Sequence, residues 1–206
     1  MILSQTKENV LPSTSERKIH LLLEAGVERH QQGQLASANL IYEKIRQLDP
    51  DNPTALQLSG VLASQVGQQE VSITLLSRAI SLKPDYSEAF NHRGVTNKKL
   101  GNLAEALGDY NRAIELSPKY ADALYNRGII FEEMNRIPEA LEDYNKAIHL
   151  SPNLIIPGAA RGMKWLGTII PALPNEHPSR SLGLRSMTVT RWPRWVQYQA
   201  EVSPMT

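Results

Sequence analysis

The 206-residue sequence predicts an all-α fold, an α-solenoid of stacked antiparallel helix pairs wound into a right-handed superhelix, on three observations. Prolines recur 34 residues apart, at Pro50, Pro84, Pro118 and Pro152. Glycines keep the same step at Gly26, Gly60, Gly94, Gly128 and Gly162, and a second series runs Gly33, Gly67 and Gly101 with Asn135 in the fourth place. Between these marks the apolar residues follow helical spacing, as Leu103, Ala106, Leu107, Tyr110, Ala113 and Ile114 do. A fixed period of this length is the signature of stacked units that bury their apolar faces only against one another.

Residues 1–18 form a polar N-terminal segment in which Ser13 and Glu16 have the spacing of a capping box that opens the first helix. Four frames follow, 19–52, 53–86, 87–120 and 121–154, each holding two helical patterns joined by a short turn. The first carries Leu22, Gly26, Ala38, Tyr42, Ile45 and Pro50; the second Gly60, Ser72, Leu76, Ala79 and Pro84. The third carries Phe90, Gly94, Ala106, Tyr110, Ala113 and Pro118, and the fourth Leu124, Gly128, Phe131, Ala140, Tyr144, Ala147 and Pro152. The Gly33 series suits a left-handed residue just past a helix end, which glycine adopts freely and asparagine tolerates. The recurring proline stops the second helix, whereas Pro138 falls in a first turn, where its missing N–H matters little. The Gly26 series lies inside the first helix at a cost of about 1 kcal/mol relative to alanine. Close approach of the partner helix is the expected compensation.

Residues 155–167 read as a partial fifth repeat that caps the stack. Arg161-Gly162 and Trp165 fall 34 residues after Arg127-Gly128 and Phe131. In residues 168–206, Pro171, Pro174 and Pro178 interrupt any second helix, and a flexible tail is expected. Its Arg191-Trp192-Pro193-Arg194-Trp195 cluster is the part of the sequence suited to nucleic-acid or membrane contact.

The charge balance, 22 Lys+Arg against 21 Asp+Glu, argues against a wholesale nucleic-acid binder. It conceals a split: residues 1–154 hold 16 basic and 19 acidic side chains, residues 155–206 hold 6 and 2. With no cysteine there is no disulfide framework, thiolate metal site or cysteine nucleophile. No signal peptide or membrane span is legible, and a cytoplasmic location is expected.

No phosphate-cradling loop, nucleophile elbow or His-Glu-x-x-His pair occurs, and the five histidines lack metal-ligand spacing. The expectation is a protein that is no enzyme, with no cofactor, no metal and no small-molecule substrate. Charges also pair by register: Arg93 and Arg127 stand where Ala25 and Ser59 do, and Asp109 and Asp143 where Ile41 and Leu75 do. Charge arriving with countercharge predicts Arg–Asp bridges between helices. Lys98-Lys99 and Glu132-Glu133, equivalent places in adjacent frames, predict ion pairs along neighbouring helices.

The four frames resemble tetratricopeptide repeats, in which the first helix carries large–x–x–small–Gly–x–x–aromatic and the second Ala–x–x–x–aromatic–x–x–Ala before proline. The resemblance covers 136 of the 206 residues and is closest in the third and fourth frames. It implies a scaffold for protein–protein interaction whose first helices line a concave groove that holds a partner peptide or helix. Carried onto this sequence, the mid-groove position is Val27, Val61, Val95 and Ile129, with Asn91, His92, Tyr125 and Asn126 as the flanking residues that give specificity. The same stripe would alternatively complete packing between repeats. Leu23, Glu88 and His92 depart from the lysine and arginine places of chaperone-tail clamps, and only Asn126 falls on the asparagine ladder of O-linked N-acetylglucosamine transferase arms. The alternative function is the substrate-recognition arm of a larger transferase-type enzyme whose catalytic domain is missing from this chain.

Overall fold

The computed structural model describes residues 14–151, which form eight helices joined by short turns. They are α1 (Thr14–Gln31), α2 (Leu35–Leu48), α3 (Pro53–Gln65), α4 (Gln69–Leu82), α5 (Ser87–Lys99), α6 (Leu103–Leu116), α7 (Ala121–Glu133) and α8 (Ile137–Leu150). No strand occurs among the described residues. α3, α5 and α7 start at 34-residue intervals, and so do α2, α4, α6 and α8. α1 begins at Thr14, directly after the Ser13 at which the sequence places the opening of the first helix, so the 19–52 frame starts inside α1. Thr14 to Lys18 are all exposed and polar, and Glu16 sits in the first turn, where the helix dipole favours a carboxylate. Ser13 of the expected capping box, Arg161, Trp165, the fifth-repeat segment 155–167 and the tail 168–206 lie outside the described residues.

The turn register is as expected. Gly33, Gly67 and Gly101 take φ of +74°, +82° and +81°, and Asn135 joins them at +58°. The mid-helix glycine has a different cause. A Cβ on Gly94 would lie 2.7 Å from Cε1 of Tyr110, and one on Gly128 would lie 2.6 Å from Cε1 of Tyr144. In these two pairs the tyrosine of the second helix lies against bare backbone of the first, which brings the helices together at that point.

Burial repeats in the same register. Ala38, Tyr42 and Ile45 of α2 are fully buried, as are Leu76 and Ala79 of α4 and Ala106, Tyr110 and Ala113 of α6. The clusters run across the pairs: Leu62 of α3 packs with Tyr42 of α2, Ala89 of α5 with Leu76 of α4, and Ile130 of α7 with Tyr110 of α6. Each later first helix offers a fully buried alanine, Ala55, Ala89 or Ala123. Leu21 holds that register in α1, where no described helix pair precedes it, and is 64% exposed.

The expected Arg–Asp bridges form inside the third and fourth pairs. Arg93 of α5 donates to both carboxylate oxygens of Asp109 on α6, at 2.6 to 3.2 Å, and reaches Ser77 of α4 at 3.1 Å. Asn97 supplies a further donor to Asp109 at 3.1 Å. Arg127 repeats the arrangement with Asp143 and Asn111. Each arginine thus ties its own pair together and holds it to the pair before. Among the first helices α3 touches α5 and α5 touches α7, and no two second helices pack as closely. The first helices α3, α5 and α7 therefore lie side by side along one side of the described stack, its inner face.

Candidate functional site

Val27, Val61, Val95 and Ile129 hold one position in four successive first helices, each directly after the mid-helix glycine, and all four are half-buried. In the last two of them the buried side is committed to packing. Val95 rests on the Ala106, Tyr110 and Ile130 cluster, and Ile129 and Tyr125 rest on the cluster of Leu124, Phe131, Ala140, Tyr144 and Ala147. The Tyr125 and Tyr144 rings lie 5.8 Å apart. Val95 and Ile129 therefore complete packing in the third and fourth pairs, and all four residues of the row keep part of their surface exposed.

Beside the stripe stands a polar chain. Nδ2 of Asn126 donates to Oδ1 of Asn91 at 3.0 Å, and Nδ2 of Asn91 donates to the hydroxyl of Tyr120 at 3.2 Å. Asn91 is 4% exposed with both ends engaged, so it presents no free amide. Asn126 keeps its carbonyl oxygen and one N–H. His92 is half-buried and its ring makes no hydrogen bond to a described residue. Burial pushes its pKa down to about 4, with Glu88 pulling it up and His30 adding to the fall. The ring is neutral at neutral pH, offering one donor and one acceptor.

The other rim is a seam of links between residues 35 apart. His30 meets Oε1 of Gln65 at 2.7 Å, with its second nitrogen 3.2 Å from the Tyr42 hydroxyl. Lys99 donates to the carbonyl and hydroxyl of Ser64 at 3.0 and 3.1 Å, and Lys98 pairs with Glu133 at 3.2 Å. The expected ion pairing is thus half met: Lys99 turns back to the end of α3, where burial lowers its pKa, and Glu132 accepts from the Tyr144 hydroxyl at 2.8 Å. The Tyr110 hydroxyl is buried without a partner, in the register where Tyr42 has His30 and Tyr144 has Glu132 and where the third pair has Lys98.

The structure brings Asn91 and Asn126 into contact and sets Val95 and Ile129 on neighbouring clusters, while Val27 and Val61 belong to the first two pairs. Sequence reasoning overlooked Tyr86 and Tyr120. Their signal was present: they stand 34 residues apart in the register of Asn52, whose side chain caps α3 by accepting from the Ala55 N–H at 3.0 Å. Neither tyrosine caps its helix.

Among the described residues no three His, Asp or Glu side chains gather to hold a metal ion, and no helix is long and apolar enough to cross a membrane. A family model described as tetratricopeptide repeat matches residues 121–154, and a second, described as TPR repeat, matches residues 98–135. No curated protein sequence matches the chain. Among solved structures, the chain is similar to MamA, at 27% identity and a TM-score of 0.58, over 69% of this chain and 84% of that one. It is similar to the first TPR of Spaghetti (RPAP3), solved bound to an HSP90 peptide, at 27% identity and a TM-score of 0.55, over 58% of this chain and 94% of that one. A mutant of the Thermobaculum terrenum O-GlcNAc transferase matches at 25% identity and a TM-score of 0.57, over 59% of this chain but only 23% of the transferase.

Proposed function

The chain belongs to the tetratricopeptide-repeat family, and from that premise we propose that it is a protein-interaction scaffold, not an enzyme, whose inner face holds an extended segment of a partner protein. The observation that carries the reading is the aliphatic row Val27, Val61, Val95 and Ile129, half-buried on the face where first helices meet. An apolar floor buries partner side chains at roughly 25 cal/mol per Å² removed from water. Asn126 and neutral His92 stand beside it to bond the partner's backbone, and Tyr125 adds a ring. Helices packed about 10 Å apart and a chain rising about 3.3 Å per residue give about three partner residues per repeat. The likeness to the Spaghetti (RPAP3) domain, itself solved with a bound peptide, supports an occupant of this kind.

The test is a pull-down that compares the wild-type chain with a Val95→Glu/Asn126→Ala variant whose melting curve confirms that it still folds. Partners lost by the variant support the groove; identical partner sets exclude it. The likeness to part of a transferase favours a second reading, in which this chain is the substrate-recognition arm of a larger enzyme whose catalytic domain is missing from this chain. Longer homologues that carry a transferase domain in the same reading frame support that role, and homologues that all lack one count against it.

A further inference from the structure

Resting on the groove reading above, we infer that Asn91 and Tyr120 are positioning residues: they hold the Asn126 amide in the orientation that pairs with a backbone amide of the partner segment. Asn91 cannot itself meet a partner, because it is 4% exposed and its oxygen and nitrogen are both taken. What its burial does is orient others. Tyr120 decides the direction of the chain. Burial and the nearby carboxylates of Asp122 and Glu88 keep its hydroxyl protonated. On the Asn91 side the Tyr120 oxygen is the acceptor, taking a hydrogen bond from Nδ2 of Asn91 at 3.2 Å. Asn91 then turns its nitrogen to Tyr120 and its oxygen to Asn126. Asn126 must answer with its nitrogen, which leaves its carbonyl oxygen and second N–H for a ligand. One acceptor and one donor side by side match the N–H and C=O that an extended chain presents on one edge.

The register of Tyr120 supports this role. Asn52 in the same register caps α3, and an asparagine at 120 could cap α7 in the same way. The chain instead carries a tyrosine that caps nothing and reaches Asn91. One repeat earlier, Tyr86 meets Gln57 only at 3.5 Å, and the rung beyond is His92, not an amide. Among the described residues the relay is complete only at the junction of α5 and α7.

Random linear peptides selected on the full chain supply the probe, keeping those whose binding is lost in Val95→Glu but not in an exposed control, Glu105→Gln. Each backbone amide of a selected peptide is then N-methylated in turn. Methylation of one amide is expected to weaken binding to the wild-type chain about tenfold, the loss of about one hydrogen bond, and to matter less than about twofold in Asn126→Ala. The same sensitivity should vanish in Tyr120→Phe and in Tyr120→Asn, although the second supplies a helix cap and should melt no lower than wild type. Asn91→Asp, which keeps an oxygen toward Asn126, should retain it. Sensitivity unchanged in both Tyr120 variants would overturn the positioning role while leaving the groove intact. Failure to select any peptide that depends on Val95 would remove the groove reading, and this inference with it.

Discussion

The Arg127 guanidinium closes on the Asp143 carboxylate through two hydrogen bonds of 2.7 Å, while its third nitrogen reaches back 2.9 Å to Asn111 of the preceding pair. The Asp143 side chain is 3% exposed and that of Arg127 20%. A carboxylate so far from water depends on the guanidinium for its solvation, and the reverse holds less strongly.

Removal of one partner should therefore cost more than the pair is worth. Arg127→Ala, which strands the buried Asp143 carboxylate, is expected to destabilise the fold by about 3–5 kcal/mol, and Asp143→Ala by somewhat less, because the 20% exposed Arg127 keeps part of its hydration. For a chain of this size the larger loss lowers Tm by roughly 10 °C or more. The first pair shows how the same place is filled without charge, by Ala25 and Ile41. Arg93→Ala/Asp109→Ile copies that solution in the third pair and should recover most of what Asp109→Ala alone loses. Thermal melts of the single and double variants check both statements, and equal losses would show that the carboxylate, not the unpaired charge, carries the effect.

Two glycines should respond in opposite directions. Gly94→Ala places a methyl 2.7 Å from the Tyr110 ring, and the helices must move apart, at a cost of about 1–3 kcal/mol. Gly108 sits in α6, exposed, with nothing within 4 Å of a Cβ built there. Gly108→Ala should raise stability by about 0.5–1 kcal/mol, since it only removes backbone freedom from the unfolded chain. Urea denaturation of the two variants reads both signs.

The fold was legible because each repeat writes its constraints in residues that little else explains. A left-handed turn needs Gly33, Gly67, Gly101 or Asn135, and a tyrosine against backbone needs Gly94 or Gly128. The Arg–Asp bridges were legible by exchange, since Arg93 and Asp109 replace Ser59 and Leu75 together. The inner face was less so. Asn91 and Asn126 carry the same side chain, and nothing in the sequence says that one is buried as a link and the other left open. That depends on the hydroxyl of Tyr120, a residue outside either helix pattern. Lys99 likewise looked like a partner for the acidic pair ahead of it, but the carbonyl of Ser64 at the end of α3 lies nearer. Contacts spaced by 35 residues join adjacent places in adjacent repeats, and a 34-residue alignment hides them.

The Lys98–Glu133 pair should behave unlike the buried bridges. Its side chains are 31% and 42% exposed, so water screens the attraction. Glu133→Gln is expected to cost less than about 1 kcal/mol at low salt and still less at 1 M salt, where the screening length falls to about 3 Å. Parallel measurement of Asp143→Ala gives the contrast, because its loss should persist at high salt. A Glu133 variant as damaging as the Asp143 one would mean that the seam holds the first helices together.

His92 gives the fold an acid-sensitive point on its inner face. Burial lowers the pKa of the ring from 6.5 to about 4 in the folded chain, the Glu88 carboxylate opposing the shift and the His30 imidazole adding to it. Between those two values the unfolded chain binds a proton that the folded chain does not. Stability therefore falls as the pH drops from 6.5 toward 4, and above 6.5 this contribution no longer changes. The amount is of order 1–3 kcal/mol, trimmed by the part of the ring that stays in contact with water. Other groups titrate in the same range, so the informative quantity is the difference between wild type and His92→Gln, which has no proton to gain. Urea midpoints at pH 7 and pH 4.5 should fall further apart in the wild-type chain than in the variant. Equal pH dependence would mean that the imidazole stands in water, and the inner face would then lose its neutral donor and acceptor beside Asn126 at mildly acid pH.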